Sequence, residues 1–196
     1  MKRPLSLFGL TLFLIACVDT TGISPNSSKQ PKGNPQSIVL VTEYADLECP
    51  ACRTAHTAIV KPLLEKYGTQ VRFDFRHFPL RSLHRYTMDL AEVAECAADQ
   101  GKFWEYVDTA FEKQPDLKTG SAQFWGEELV ADTNLFSRCT RSHIKKDAIM
   151  ADYDAGIAMG VQGTPTFFVN GKQTPATVDD LSAAIEGQLK GATQRL

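Results

Sequence analysis

Cys49-Pro50-Ala51-Cys52 decides how this chain is read, and its flanks decide what the pair can do. Before it runs Ser37-Ile38-Val39-Leu40-Val41-Thr42-Glu43-Tyr44, an apolar, β-branched stretch of the kind that forms a buried strand. After it, Ala51 to Tyr67 carries Ala55, Ile59, Leu63 and Leu64 at helical spacing, with Gly68 as a stop and Pro62 predicting a kink. Val71-Arg72-Phe73-Asp74-Phe75-Arg76-His77-Phe78 alternates as a second strand. The pair therefore lies at the strand-to-helix junction of a β–α–β unit.

That junction gives the two sulfurs different roles. Cys49 falls at the helix N-terminus, where unpaired backbone N–H groups and the helix dipole stabilise an anion. Such settings bring a cysteine pKa down from about 8.5 to between roughly 3.5 and 7.5. Pro50 suits the first helical position, where its missing N–H costs nothing. Cys49 is thus the expected nucleophile and Cys52, one turn further in, the resolving thiol. Two other readings stand beside this one. A purely structural disulfide would close so small a loop that it adds little stability. A zinc site would need Cys96 and Cys139 to complete it, at a spacing unlike that of metal sites.

Further along, Val161-Gln162-Gly163-Thr164-Pro165-Thr166-Phe167-Phe168-Val169-Asn170-Gly171-Lys172 contains a strand at Phe167-Phe168-Val169 and a type I′ hairpin signal at Asn170-Gly171. At the other end, Lys2 and Arg3 precede an apolar run, Leu5 to Ile15, too short to span a bilayer. Residues 1–17 read as a signal peptide, and Leu14-Ile15-Ala16-Cys17 resembles the lipobox of bacterial lipoproteins, which implies lipidation of Cys17. An ordinary secretory signal or an uncleaved anchor are the alternatives, and each places the domain outside the cytoplasm. Residues 18–36, polar and rich in Pro, Gly and Ser, read as a flexible tether. The 196 residues suffice for one domain with a sizeable insertion, and a net charge of −2 argues against nucleic-acid binding.

Several motifs together carry a family resemblance. Cys-Pro-Ala-Cys after a strand, Phe78-Pro79-Leu80, Gln100-Gly101-Lys102-Phe103-Trp104-Glu105, and the run from Gly163 to Gly171 resemble the DsbA-like thiol–disulfide oxidoreductases over residues 37–192. The resemblance implies an α/β, thioredoxin-like fold with an α-helical domain inserted between its two halves. The thioredoxin-like domain would then be 37–80 with 159–194, and the helical insertion 81–158. It implies that Pro165 is cis, that Thr164 lies against the cysteine pair, and that both wall the substrate site with Pro50 and Ala51. It also brings in Glu43, six residues before Cys49, where such folds place a buried acid near the resolving cysteine. A carboxyl there has its pKa raised by burial and can relay the proton of Cys52; the alternative is a strand residue facing solvent. Asp46 and Glu48 read as a solvated rim. His77 and His84 read as packed or exposed rather than catalytic, and Trp104 and Trp125 as core. The redox-active disulfide itself would serve in place of any cofactor or metal.

Of the five cysteines, setting aside Cys17 leaves four, and the catalytic pair leaves Cys96 with Cys139. In an oxidising compartment these are expected to form a structural disulfide, with two buried free thiols as the alternative. The expected activity is the introduction of disulfides into exported, unfolded proteins with free cysteines. The expected partners are those substrates, the membrane through the lipid anchor, and, by resemblance, a quinone-linked reoxidase of the DsbB or VKOR type. Ala51 stands where the strongest oxidants of the family carry histidine, so reductase or isomerase remains the second reading. A non-catalytic peptide-binding or metal-binding module is the third.

Overall fold

A computed structural model describes residues 18–193; Cys17 and the signal-like leader lie outside them. Among the described residues one sheet has five strands, β1 (Lys32–Gly33), β2 (Leu40–Ala45), β3 (Arg72–His77), β4 (Thr166–Val169) and β5 (Lys172–Thr174), in the order β1-β3-β2-β4-β5. β2 and β3 are parallel, as the junction reading requires, while β4 runs antiparallel to β2 with Glu43 opposite Phe167. Asn170 and Gly171 both take positive φ, 46° and 78°, and Val169 pairs with Lys172 across a two-residue hairpin. Asn and Gly tolerate that left-handed backbone, which is why the dipeptide signals this turn.

Between β2 and β3 the chain runs through α1 (Pro50–Ala55), a π-helical turn at His56–Val60, and α2 (Lys61–Tyr67), capped by Gly68. The predicted disruption at Pro62 takes the form of that π turn: the Lys61 N–H donates to the His56 carbonyl, five residues back. A widened turn of this kind accommodates a residue with no N–H to give to the preceding turn. Five helices lie between β3 and β4, as the resemblance implied: α3 (Thr87–Ala98), α4 (Phe103–Glu112), α5 (Ser121–Glu127), α6 (Thr133–Ser142) and α7 (Lys146–Ala158). The helix α8 (Val178–Thr193) closes the described chain.

The core is divided by the sheet's connections. One cluster packs Val39, Val41, Phe73 and Phe167 with Leu63 of α2 and Leu181 and Ile185 of α8. A second joins Ala45, Leu47, Phe75 and both active-pair cysteines to Leu90, Phe103, Tyr106, Phe111, Trp125 and Phe136 of the insertion. Burying each large side chain of this kind stabilises by roughly 1.5–3 kcal/mol. Cys49 and Cys52 thus sit where the thioredoxin-like motif meets the insertion, in one continuous apolar cluster.

The expected flexible tether, 18–36, is corrected by the structure. Lys32–Gly33 adds an antiparallel edge strand to β3, and Ile23 packs on the insertion's core. Lys29 lies between Glu95 of α3 and Asp152 of α7, at 2.8 and 2.7 Å. Lys145 donates to the Asn26 carbonyl at 2.8 Å, and Trp104 Nε1 to that of Gln30 at 2.8 Å. The segment has little apolar surface of its own, but it supplies one cation to two buried carboxylates and pairs its backbone with fixed partners. Trp104, read as core, is only partly buried and stacks beneath Lys32, 4.7 Å from the ring centroid.

Candidate active site

β2 delivers the chain to the site in an orderly way. Its Glu43 is 1% exposed and flanked across the sheet by Phe75 on β3 and Phe167 on β4. Alternation along the strand puts Glu43 on the face of Val39 and Val41, so its carboxyl is surrounded by apolar groups. Burial pushes its pKa up to about 8, and Oε1 has no hydrogen-bond partner among the described residues. The alternative of a solvent-facing strand residue does not hold.

After β2 the chain turns tightly at Asp46. The Cys49 N–H donates to the Asp46 carbonyl at 3.0 Å, and the Glu48 N–H to Asp46 Oδ1 at 2.8 Å. Asp46 Oδ2 accepts from the Leu80 N–H at 2.8 Å and lies 2.8 Å from His84 Nδ1. Asp46 is 2% exposed, so it is a buried fastener of the loop rather than part of a solvated rim. Glu48 accepts from the Tyr86 N–H, tying the same loop to the start of α3. His77 is buried against Glu95 at 3.1 Å, consistent with its reading as a packed residue.

Cys49 is the N-cap of α1 with Pro50 in the first turn, the arrangement expected from the sequence. Both sulfurs are unbonded thiols, and they differ sharply. A hydrogen bond from the Cys52 thiol favours the Cys49 thiolate most. Burial works against it, while Thr164 and the backbone N–H groups of Cys52 and Ala51 add to it, and the pKa falls to about 5. Cys52, fully buried, is pushed well above the usual thiol value, first by burial, then by its bond to Cys49, then by the charges of Glu43 and Cys49. One thiol is poised to be a thiolate at neutral pH and the other to hold its proton.

The opposing wall is the loop before β4. The Thr164–Pro165 peptide is cis, and the Thr164 carbonyl lies 3.5 Å from Cys49 Sγ. Thr164 Oγ1 is buried and has no partner among the described residues while both cysteines are thiols. Its hydroxyl favours the thiolate form of either cysteine. Cys96 and Cys139 are joined by a disulfide between α3 and α6, and so cannot complete a thiolate cage around the active pair. Among the described residues no group of three His, Cys, Asp or Glu side chains could hold a metal ion.

Two contacts escaped the sequence reading. Gln114, in a 3₁₀ turn (Gln114–Asp116) after α4, donates from Nε2 to the carbonyls of Leu47 at 2.9 Å and Cys49 at 3.1 Å. His56, in the turn after α1, lies 2.6 Å from Asp108 of α4 and packs its ring on Phe111. Neither has a local signature. Pro115 marks a turn, but only the assembled fold brings Gln114 to a loop 65 residues away.

Comparison with known proteins agrees with this fold. The family model described as Thioredoxin matches residues 27–187. Among curated proteins the chain is similar to the Na(+)/H(+) antiporter NhaA 3 of Salinispora tropica, 39% identical over 166 residues, which are 84% of this chain and 25% of that protein. The chain thus spans about a quarter of the length of that relative. Among solved structures it is similar to oxidised BdbD from Bacillus subtilis, with a TM-score of 0.72 and 23% identity over 83% of this chain and 94% of that one. It is also similar to alpha-DsbA1 of Wolbachia pipientis, with a TM-score of 0.69 and 20% identity over 85% and 93% of the two chains. The chain belongs to the thioredoxin family, and its fold, with a helical insertion between the two halves of the motif, is similar to those of BdbD and alpha-DsbA1.

Proposed function

We propose that this chain is an extracytoplasmic thiol–disulfide oxidoreductase that introduces disulfides into exported, unfolded proteins through Cys49 and Cys52. The observation that carries the reading is the opposed setting of the two sulfurs, Cys49 drawn down to about 5 and Cys52 pushed up. A substrate thiolate attacks Cys49 of the oxidised pair, forming a mixed disulfide and releasing Cys52, which takes a proton. A second substrate thiolate then attacks the substrate sulfur of that mixed disulfide and expels Cys49 as a thiolate. The low pKa of Cys49 makes it a good leaving group. Two electrons and one proton pass from the substrate dithiol to the pair, and the second proton goes to solvent because Cys49 leaves as a thiolate. A membrane quinone-linked reoxidase of the DsbB or VKOR type takes them on: the Cys49 thiolate attacks its disulfide and Cys52 resolves the intermediate. Glu43, protonated at neutral pH behind Cys52, serves as the proton relay.

An exported location is supported by the signal-like leader with Cys17 and by the Cys96–Cys139 disulfide, a bond that persists in oxidising compartments. Reductase or isomerase is the second reading, favoured by a Cys49 value between those of thioredoxin, about 7, and DsbA, about 3.5. Assay with a reduced, unfolded multi-cysteine substrate and a glutathione buffer tests the proposal. Oxidation is expected to require both thiols, Cys49→Ser abolishing it and Cys52→Ala accumulating mixed disulfide. Undiminished activity in Cys49→Ser would rule the mechanism out.

A further inference from the structure

The active-site loop is fastened from two sides, and the division of labour is informative. Its N–H groups are satisfied from within the thioredoxin-like motif: Glu48 and Cys49 both donate to Asp46. Its carbonyls turn the other way. Leu47 O and Cys49 O both accept from Gln114 Nε2, and Cys49 O also takes the first helical bond, from the Arg53 N–H at 3.1 Å. An amide nitrogen carries two hydrogens, so one side chain meets both carbonyls. The 3₁₀ turn holding Gln114 is itself fixed by Pro115 and by bonds from the Asp116 and Leu117 N–H groups to Lys113 and Gln114. Gln114 also lines a cleft of about 390 Å³ beside the pair, with Glu48, Pro50, Arg53, Tyr86, Pro115 and Leu117.

We propose that Gln114 is a positioning residue for Cys49: by holding the Leu47 and Cys49 carbonyls it aims the start of α1 at the sulfur, so that the helical insertion helps set the redox potential of the pair. The proposal rests on the redox reading of Cys49 and Cys52. The donors that steady the Cys49 thiolate include the backbone N–H groups of Ala51 and Cys52. Their direction follows from the peptide planes next to the Cys49 carbonyl, which the amide of Gln114 pins together with Leu47. Pro50 has no N–H with which to anchor the turn, and Asp46 reaches only the N–H side of the loop. Loss of the amide strands the carbonyl of Leu47, a residue only 2% exposed, and the loop must shift to rehydrate it. Of the charged and titratable groups around the loop, Cys52 bonds to Cys49, Glu43 acts on Cys52, and Glu48, Arg53 and Tyr86 line the cleft with Gln114. None of these is altered by substitution at Gln114.

The sign follows from the chemistry. The reduced pair exists with Cys49 as a thiolate, so weakening that thiolate disfavours the reduced form and moves the potential to more negative values. Gln114→Ala and Gln114→Met separate hydrogen bonding from volume, because methionine fills nearly the same space without a donor. Two readouts are taken on the full mature chain: the Cys49 thiolate pKa from the pH dependence of alkylation, and the equilibrium constant against glutathione. Both variants are expected to raise the Cys49 pKa and to change the equilibrium constant by up to about tenfold, or about 30 mV towards the reducing side. Wild-type values in both variants would overturn the proposal, and so would wild-type values in Gln114→Met alone, which would make Gln114 a packing residue. Failure of the redox reading is distinguishable, since a wild-type protein inactive in exchange still reports whether the Cys49 pKa depends on Gln114.

Discussion

Glu43 shows how much a single side chain contributes and at what cost. A carboxyl buried between Phe75 and Phe167 keeps its proton to about pH 8, whereas the unfolded chain releases it near 4.5. Between those values the folded state binds the additional proton, so stability falls as pH rises through the window and levels off above it. Glu43→Gln removes the titration, so the variant gains on wild type by on the order of 1 kcal/mol per pH unit across that window. Urea unfolding of both proteins in the same redox state at pH 5 and pH 8.5 measures it. A constant difference between the two would show that Glu43 is not buried as a proton carrier. Burial of Glu43 was legible from the family resemblance and the apolar run around it. Asp46 was misread because two of its partners, Leu80 and His84, lie 34 and 38 residues away and leave no trace in the local sequence.

The strands and the hairpin follow their local patterns closely, because β-branched residues and Asn-Gly impose geometry by themselves. The helical insertion depends more on fit. Gly126 in α5 is packed so closely that a Cβ would lie 2.3 Å from Phe136 Cζ and 2.8 Å from Val93 Cγ1. Phe136 is fully buried and Val93 nearly so. Alanine has the better helix propensity by about 1 kcal/mol, yet overpacking costs about 1–3 kcal/mol, so Gly126→Ala is expected to destabilise or at best break even. Thermal unfolding measures it, and a clear rise in Tm would contradict the packing described. The π turn at His56–Val60 belongs to the same scale: Pro62 announces a disruption, but not its form, in which the Lys61 N–H reaches back to the His56 carbonyl.

At the scale of the molecule, the segment before β2 is a clasp between the sheet and the insertion. Burial pushes the Glu95 carboxyl up, but His77 and Lys29 outweigh it and hold it far below the usual range. Asp152 also takes Arg76, at 2.7 Å, so Lys29 sits in a network spanning β3, α3 and α7. Lys29→Met leaves two mostly buried carboxylates short of a partner and is expected to cost about 3 kcal/mol in chemical denaturation. Unchanged stability is the result a loose tether would give. Composition alone suggested such a tether, since a polar stretch shows nothing of the buried charges waiting for Lys29. The inserted-domain architecture, by contrast, was visible through family motifs spread over residues 37–192 rather than through any one element.

The central claim is that the protein stabilises the Cys49 thiolate enough to make the pair an oxidant, though a milder one than the strongest of its relatives. The reduction potential of Cys49–Cys52 against glutathione at pH 7 tests it most directly. With Cys49 at about 5, the potential is expected between the thioredoxin value, about −270 mV, and the DsbA value, about −120 mV. A value at or below about −270 mV would contradict it and make the protein a reductase.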